Sequence, residues 1–258
     1  MFVDTHCHIH ESDYPIPTKD VIRHALEADV EKLICVGTNL QSSKLALEAS
    51  NKYEPIFSIL GIHPHYASDD FNDFVRFFNN INESDRKKVV AIGEIGLDYY
   101  YNHSPRDEQI ATLEAQIDFA LKNKLPISFH VRDAFDDFWA VLDNFRSEDI
   151  KGVLHCFTGD NKAADKAISK GLYIGVTGIA TFTKDKSQQD MFRHLPLGFM
   201  LLETDAPYLT PGPFRGKIKV NEPAFVKVIA EHISLDRGVA LDEVGSITTK
   251  NAHSLFGI

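Results

Sequence analysis

The chain begins Met1-Phe2-Val3-Asp4-Thr5-His6-Cys7-His8, a short apolar run that ends in a pair of histidines. An open, doubly wound α/β sheet normally follows its first strand with a glycine-rich phosphate loop. Here that position holds His6-Cys7-His8. The stretch therefore reads as the first buried strand of another α/β architecture, one with side-chain chemistry at the strand's C-terminal end.

Seven more runs of the same kind follow, at 32–37, 55–62, 89–96, 125–131, 152–157, 172–177 and 198–204. They are rich in Val, Ile, Leu and Phe and nearly continuous in hydrophobicity, as strands covered on both faces are. Amphipathic stretches separate them: 18–29, 42–52, 69–80, 106–124, 133–145, 162–170 and 187–194, with 222–233 and 241–256 in the tail. In 106–124, Ile110, Leu113, Ile117, Ala120 and Leu121 share one helical face, and Pro105 and Pro126 punctuate the ends. Phe71, Phe74, Phe77 and Phe78 sit at helical spacing and read as core. Eight strand–helix alternations in 258 residues have the size and rhythm of a closed (β/α)8 TIM-type barrel, expected as one domain over 1–258.

Composition narrows the class. With 43% apolar and 25% charged residues the chain is a folded protein rather than a disordered one. No apolar stretch reaches the roughly 20 residues that span a bilayer, and no basic segment precedes an apolar leader, so neither membrane insertion nor export is expected. Cys7, Cys35 and Cys156 form an odd, widely spaced set, which argues against a disulfide framework and for the reducing cytoplasm. The net charge of −10 argues against a basic coat for nucleic acid. Any DNA contact is then a transient capture at a locally positive mouth. Nothing calls for an obligate protein partner, and a monomer is expected.

The informative residues stand at the ends of the strands: His6 and His8, His63, Glu94, His130, His155, Glu203 and Asp205. In such a barrel these ends converge on one mouth. His6 and His8 are two apart and point the same way, while Cys7 points opposite; Cys156 should likewise face away. A single buried histidine reads more readily as a hydrogen-bonded core residue. Four imidazoles (His6, His8, His130, His155) with Glu94 and Asp205 instead indicate a metal centre, whose mixed donors suit Zn²⁺ or Mn²⁺ better than Mg²⁺ or Fe. Two divalent ions bring about +4 against −2 from the carboxylates, and a centre near +2 suits an anionic phosphate. Glu94 is the natural bridging ligand, since no lysine stands at the ends of strands four and five to act in carboxylated form.

Other residues carry two readings. Arg132 could bind phosphate or pair with Asp133. Glu203 shares a strand face with Asp205 and could orient a ligand. Asp98 could stabilise its own loop, and Tyr99-Tyr100-Tyr101 could stack on bases or pack. His10, His24, His103, His194, His232 and His253 show no convergent partner and read as surface or structural.

Six ordered segments carry a resemblance. They are Asp4-Thr5-His6-Cys7-His8, Gly61-Ile62-His63-Pro64-His65, Gly93-Glu94-Ile95-Gly96-Leu97-Asp98-Tyr99, His130-Val131-Arg132-Asp133-Ala134, His155-Cys156-Phe157-Thr158-Gly159 and Glu203-Thr204-Asp205-Ala206-Pro207-Tyr208-Leu209. Together they resemble the motifs of the TatD-type metal-dependent deoxyribonucleases, amidohydrolase-like (β/α)8 metallohydrolases, and the likeness extends to Thr249-Lys250-Asn251-Ala252. The resemblance implies the same six metal ligands, with His63 on the scissile phosphate. It includes Arg215-Gly216-Lys217 and Asn221-Glu222-Pro223, but Phe214 stands where the family often has histidine, and Ile218-Lys219-Val220 lengthens the spacer. Those departures bear on substrate contacts. The implied reaction is phosphodiester hydrolysis in DNA, as an exonuclease on single-stranded ends. Asp205 takes a proton from a metal-activated water, and His63 with Arg215 stabilises the developing charge. The alternatives are an amidohydrolase or phosphotriesterase-like hydrolase of a small molecule, an ester-cleaving activity on tRNA, and an inactive scaffold; the last would show a missing ligand.

Overall fold

The apolar runs form β1 (Phe2–Cys7), β2 (Val30–Val36), β3 (Ile56–Leu60), β4 (Val89–Asp98), β5 (Ile127–Arg132), β6 (Gly152–Leu154), β7 (Tyr173–Val176) and β8 (Met200–Leu202) in the computed structural model. The structure describes residues 1–101, 103–146 and 150–258. All eight strands lie in one sheet in chain order, and each neighbouring pair is parallel. The helices between them are α1 (Thr18–Glu27), α2 (Leu40–Lys52), α3 (Phe71–Asn79), α4 (Glu83–Arg86), α5 (Arg106–Asn123), α6 (Phe135–Leu142), α7 (Asn161–Ser169) and α8 (Lys186–His194), followed by α9 (Val226–Arg237) and α10 (Leu241–Phe256). The fold is the expected (β/α)8 barrel. None of its described helices is long and apolar enough to cross a membrane.

Two buried layers explain why the sequence closes this way. The larger fills the space between strands and helices and includes Phe74, Phe78, Leu113, Ile117 and Phe138. The smaller joins Val3, Ile34, Val36, Ile59, Ala91, Val153 and Leu201 with Leu255 and Phe256 of α10. Six strands of a closed sheet can share such a cluster only inside the barrel, so α10 plugs one end. The opposite end is left for polar groups.

Some boundaries moved. The tail helix expected from 222 starts instead as a 3-10 turn, Pro223–Phe225, because the fixed φ of proline suits a first turn, and α9 follows it to Arg237. The short α4 was not foreseen; Asn82 caps it by accepting from Asp85 N–H at 2.9 Å. Strand β1 runs on through Cys7, which carries His6 into the ladder.

The seam between β1 and β8 holds the barrel closed and sets the geometry of the mouth. His8 N–H donates to Ala206 O at 2.7 Å and Asp205 N–H to His6 O at 2.9 Å. Asp4, fully buried, reinforces the seam: Thr204 N–H donates to its Oδ1 at 2.9 Å, and Thr204 Oγ1 lies 2.5 Å from Oδ2. Burial pushes the Asp4 carboxyl well above its ordinary range, against the opposing hydrogen bonds from Thr204 and His6. A neutral acid is mimicked by an amide, so Asp4→Asn should cost about 1 kcal/mol or less. Asp4→Ala leaves buried donors without partners and should cost about 3 kcal/mol. Urea unfolding of the two variants checks this; equal losses would mean that the carboxyl is ionised or the bonds are dispensable.

Candidate metal centre

The ends of β1, β4, β5, β6 and β8 deliver side chains to one place. His6 Nε2 and His8 Nε2 lie 3.2 Å apart. Glu94 Oε2 is 3.4 Å from His6 Nε2, and Asp205 Oδ1 is 3.4 Å from His8 Nε2. On the other side of the Glu94 carboxylate, Oε1 is 2.6 Å from His130 Nδ1 and 3.7 Å from His155 Nε2. His155 Nε2 is also 3.8 Å from Asp205 Oδ1, and its ring stacks on His6 at 3.4 Å. The six side chains that the sequence nominates as ligands are thus brought into one cluster.

The donor chemistry fits a divalent cation. Imidazole Nε2 atoms and carboxylate oxygens face one another with lone pairs, an arrangement that is repulsive unless a proton or a cation lies between them. Metal–nitrogen bonds of about 2.0–2.1 Å in a tetrahedral set place ligand atoms about 3.3 Å apart. The separations of 3.2, 3.4 and 3.4 Å around His6 and His8 are close to that spacing, while His6 to Asp205 and His8 to Glu94 are wider at 4.0 Å. The outer nitrogens fix which atom faces inward. His8 Nδ1–H donates to Val36 O at 2.8 Å, and His155 Nδ1–H donates to Glu203 Oε2 at 2.9 Å, leaving both Nε2 atoms as acceptors. Four overlapping groups among the described residues could hold a cation: His6, His8 and Asp205; His63, Glu94 and His130; His6, His155 and Glu203; and His155, Cys156 and Asp205.

Electrostatics agree. Burial alone would raise the Glu94 carboxyl, but the surrounding imidazoles, His155 foremost, and the hydrogen bond with His130 outweigh it and hold Glu94 well below the usual range. Burial opposes charge on His155 too, yet Glu203 and Glu94 lift it to about 10, and Asp98 and Glu94 lift His130 to about 9. Binding of a cation would have to displace protons from these rings.

His63 differs. Its Nδ1 accepts from His65 N–H at 3.1 Å, so the neutral ring carries its proton on Nε2, which faces Glu94 Oε1 at 3.6 Å. Burial first, then the charge on His130, pushes its pKa well below the ordinary value, so the ring stays neutral. The geometry makes it a hydrogen-bond donor into the mouth.

The supporting residues were only partly visible beforehand. Glu203 is fully buried and braces His155, and its Oε2 also accepts from Cys156 N–H at 3.0 Å. Gly175 makes room for it: a Cβ there would stand 2.3 Å from the Glu203 carboxylate oxygens. Glu203→Gln should therefore weaken metal binding by about 10–100-fold while leaving the fold intact. Titration of the chelated protein with Zn²⁺ or Mn²⁺ reads the effect; unchanged affinity would reduce Glu203 to a packing residue.

Asp98 does more than hold its loop. Its Oδ1 accepts from Tyr100 N–H and Tyr101 N–H, each at 3.0 Å, while Oδ2 lies 3.1 Å from His130 Nε2 and 3.0 Å from His65 Nε2. The signal was available: Asp98 lies four residues beyond Glu94 on one strand.

The remaining side chains take these positions. Arg132 lays its guanidinium over Tyr100 at 4.0 Å and Tyr101 at 4.8 Å. Arg215 is exposed and sits over Phe182 at 3.9 Å; no polar contact among the described residues joins it to the cluster. Phe214 stacks on Phe225 at 4.8 Å. Cys156 does not face away: its left-handed φ of 45° turns it toward His155 and Asp205, although burial pushes its thiol up and keeps it neutral. His103 has a partner after all, 4.6 Å from the His65 ring. Cys7 does face away, its Sγ 3.4 Å from Ile34 O. The NEP segment buttresses the mouth, since buried Asn221 donates to Thr204 O at 2.8 Å and to Tyr208 O at 2.5 Å.

A closed parallel barrel with histidines and carboxylates gathered at its strand ends defines a barrel metallohydrolase. A family model described as TatD related DNase matches residues 3–257. The chain is 37% identical over 258 residues to the uncharacterized metal-dependent hydrolase YabD of Bacillus subtilis, covering all of both chains. It is 34% identical over 245 residues to the 3'-5' ssDNA/RNA exonuclease TatD of Salmonella typhimurium, covering 93% of this chain and 92% of that one. Among solved structures, YjjV, a TatD homolog from Escherichia coli, superposes with a TM-score of 0.91 at 28% identity, over 100% and 98% of the two chains. The chain belongs to the TatD family of metal-dependent hydrolases.

Proposed function

We propose that this hydrolase cleaves phosphodiester bonds in DNA, acting on single-stranded ends as an exonuclease that captures its substrate transiently. The observation that carries the reading is the position of His63, a neutral donor 3.6 Å from the carboxylate that the two histidine groups share. An anionic phosphoryl group seated there meets a donor on one side and the cation sites on the other. The Salmonella relative, named a 3'-5' ssDNA/RNA exonuclease, supports the same substrate class.

His6, His8, Glu94, His130, His155 and Asp205 would hold the metal, as two ions, one beside Asp205 and one beside Glu94. Zn²⁺, Mn²⁺ or Mg²⁺ bound there would supply charge that polarises the phosphoryl group and acidifies a water. Asp205 accepts the proton from that water. Burial would raise its carboxyl, but the imidazoles of His8, His155 and His6 around it hold it below the ordinary value, so it is an ionised acceptor. His63 Nε2–H steadies the charge that develops on a non-bridging oxygen. Its neutrality matters, because it donates without competing for the cation.

The test is a chelate-and-reconstitute assay on single-stranded DNA, duplex DNA and RNA, with small amides, lactones and organophosphates as controls. Shortening of single-stranded DNA from one end, dependent on restored metal, is the expected result. Cleavage of the small substrates alone would overturn the proposal in favour of a small-molecule hydrolase.

A further inference from the structure

The chain has eight tyrosines, and their exposure divides by position. Tyr14, Tyr53, Tyr99 and Tyr173 are half-buried, whereas Tyr66, Tyr100, Tyr101 and Tyr208 are 42%, 58%, 50% and 63% exposed. All four exposed rings follow the C-terminal ends of strands β3, β4 and β8, around the mouth. Tyr208 lies beside the first ligand group, its ring 6.4 Å from His8. Tyr101 lies beside the second, 5.5 Å from His65, which is itself 4.3 Å from His63.

These rings are held in place. Tyr99 is used for packing, with its hydroxyl on Asp137 at 2.7 Å and Arg106 over its face at 4.1 Å. The next two residues are presented outward. Asp98 fixes their backbone and, with its other oxygen, touches His130, so one carboxylate sets the distance from the tyrosine turn to the centre. Arg132 backs Tyr100 and Tyr101, and Tyr101 lies parallel to His103, within 11° at 5.7 Å. Burial does not account for rings this exposed.

From this arrangement we infer that Tyr101 and Tyr208, with Tyr100 and Tyr66 beside them, are stacking platforms for unpaired bases on either side of the scissile phosphate. The inference rests on the nuclease reading and deepens it by naming what selects a single strand. Every base offers a π-face, so stacking is indifferent to sequence, but a paired base inside a duplex has no face free. In a protein of net charge −10, such rings add affinity that does not depend on phosphate contacts.

The test compares two single-stranded DNA oligonucleotides of equal length and charge on the metal-loaded enzyme, one natural and one abasic at its terminal nucleotides. A third, with 2-aminopurine at those nucleotides, reports stacking by fluorescence quenching. The abasic strand should show a KM raised by about tenfold for each stack lost, and the 2-aminopurine should be quenched on binding. Both effects should collapse in the Tyr101→Leu, Tyr208→Leu double variant and survive in the Tyr101→Phe, Tyr208→Phe variant, which keeps the rings. Equal KM for the two strands in the parent, or an undiminished quench in the leucine variant, overturns the platforms. If the parent cleaves neither strand, the nuclease reading fails instead, and the quench comparison still decides the stacking.

Discussion

Asp205→Asn is expected to fold like the parent and to lose turnover by about a thousandfold, within the 10²–10⁴ range of a positioned general base. The substitution spares the structure because the backbone does most of the structural work here. Asp205 N–H donates to His6 O at 2.9 Å, and the left-handed φ of 54° is one that asparagine adopts readily. What is removed is the anionic oxygen 3.4 Å from His8 Nε2 and 3.8 Å from His155 Nε2. An amide retains an oxygen of similar reach but cannot take a proton. Initial rates should be measured at matched metal content, with metal quantified in the same samples. Turnover within tenfold of the parent at full occupancy would show that another group accepts the proton.

The fold was legible because buried parallel strands are continuous apolar runs, and the chain has eight of them with helical patterns between. The cluster was legible because the last residues of a barrel strand face the mouth, so His6, Glu94, His130 and Asp205 could be collected without knowing any distance. What connects strands was not legible. The bond from Thr204 to Asp4 spans nearly the whole chain and exists only because β8 returns beside β1. The tautomer of His63 depends on a backbone N–H two residues on, which no spacing reveals. That Arg132 and Arg215 each lie over an aromatic ring was also not legible, because loops set it and the apolar pattern does not encode their conformation. Cys156 was read by strand alternation, but β6 ends at Leu154, two residues before it, so that reading does not hold.

Glu94→Gln separates the metal centre from the proton acceptor. Glu94 reaches both groups through its two oxygens, with Oε2 at 3.4 Å from His6 and Oε1 at 2.6 Å from His130. The amide removes one negative charge and presents an N–H₂ donor where a lone pair must face a cation. Unit charges about 4 Å apart attract by about 4 kcal/mol at an effective dielectric of about 20, so losing one lowers cation affinity by about a thousandfold. Metal bound per chain should therefore fall, and turnover with it, whereas Asp205→Asn should lose turnover at higher retained metal. Raising the metal concentration should recover part of the Glu94→Gln activity and none of the proton-acceptor defect. Parent-like metal content in Glu94→Gln would show that the two ligand groups bind cations independently, and the shared-carboxylate arrangement would then be structural only.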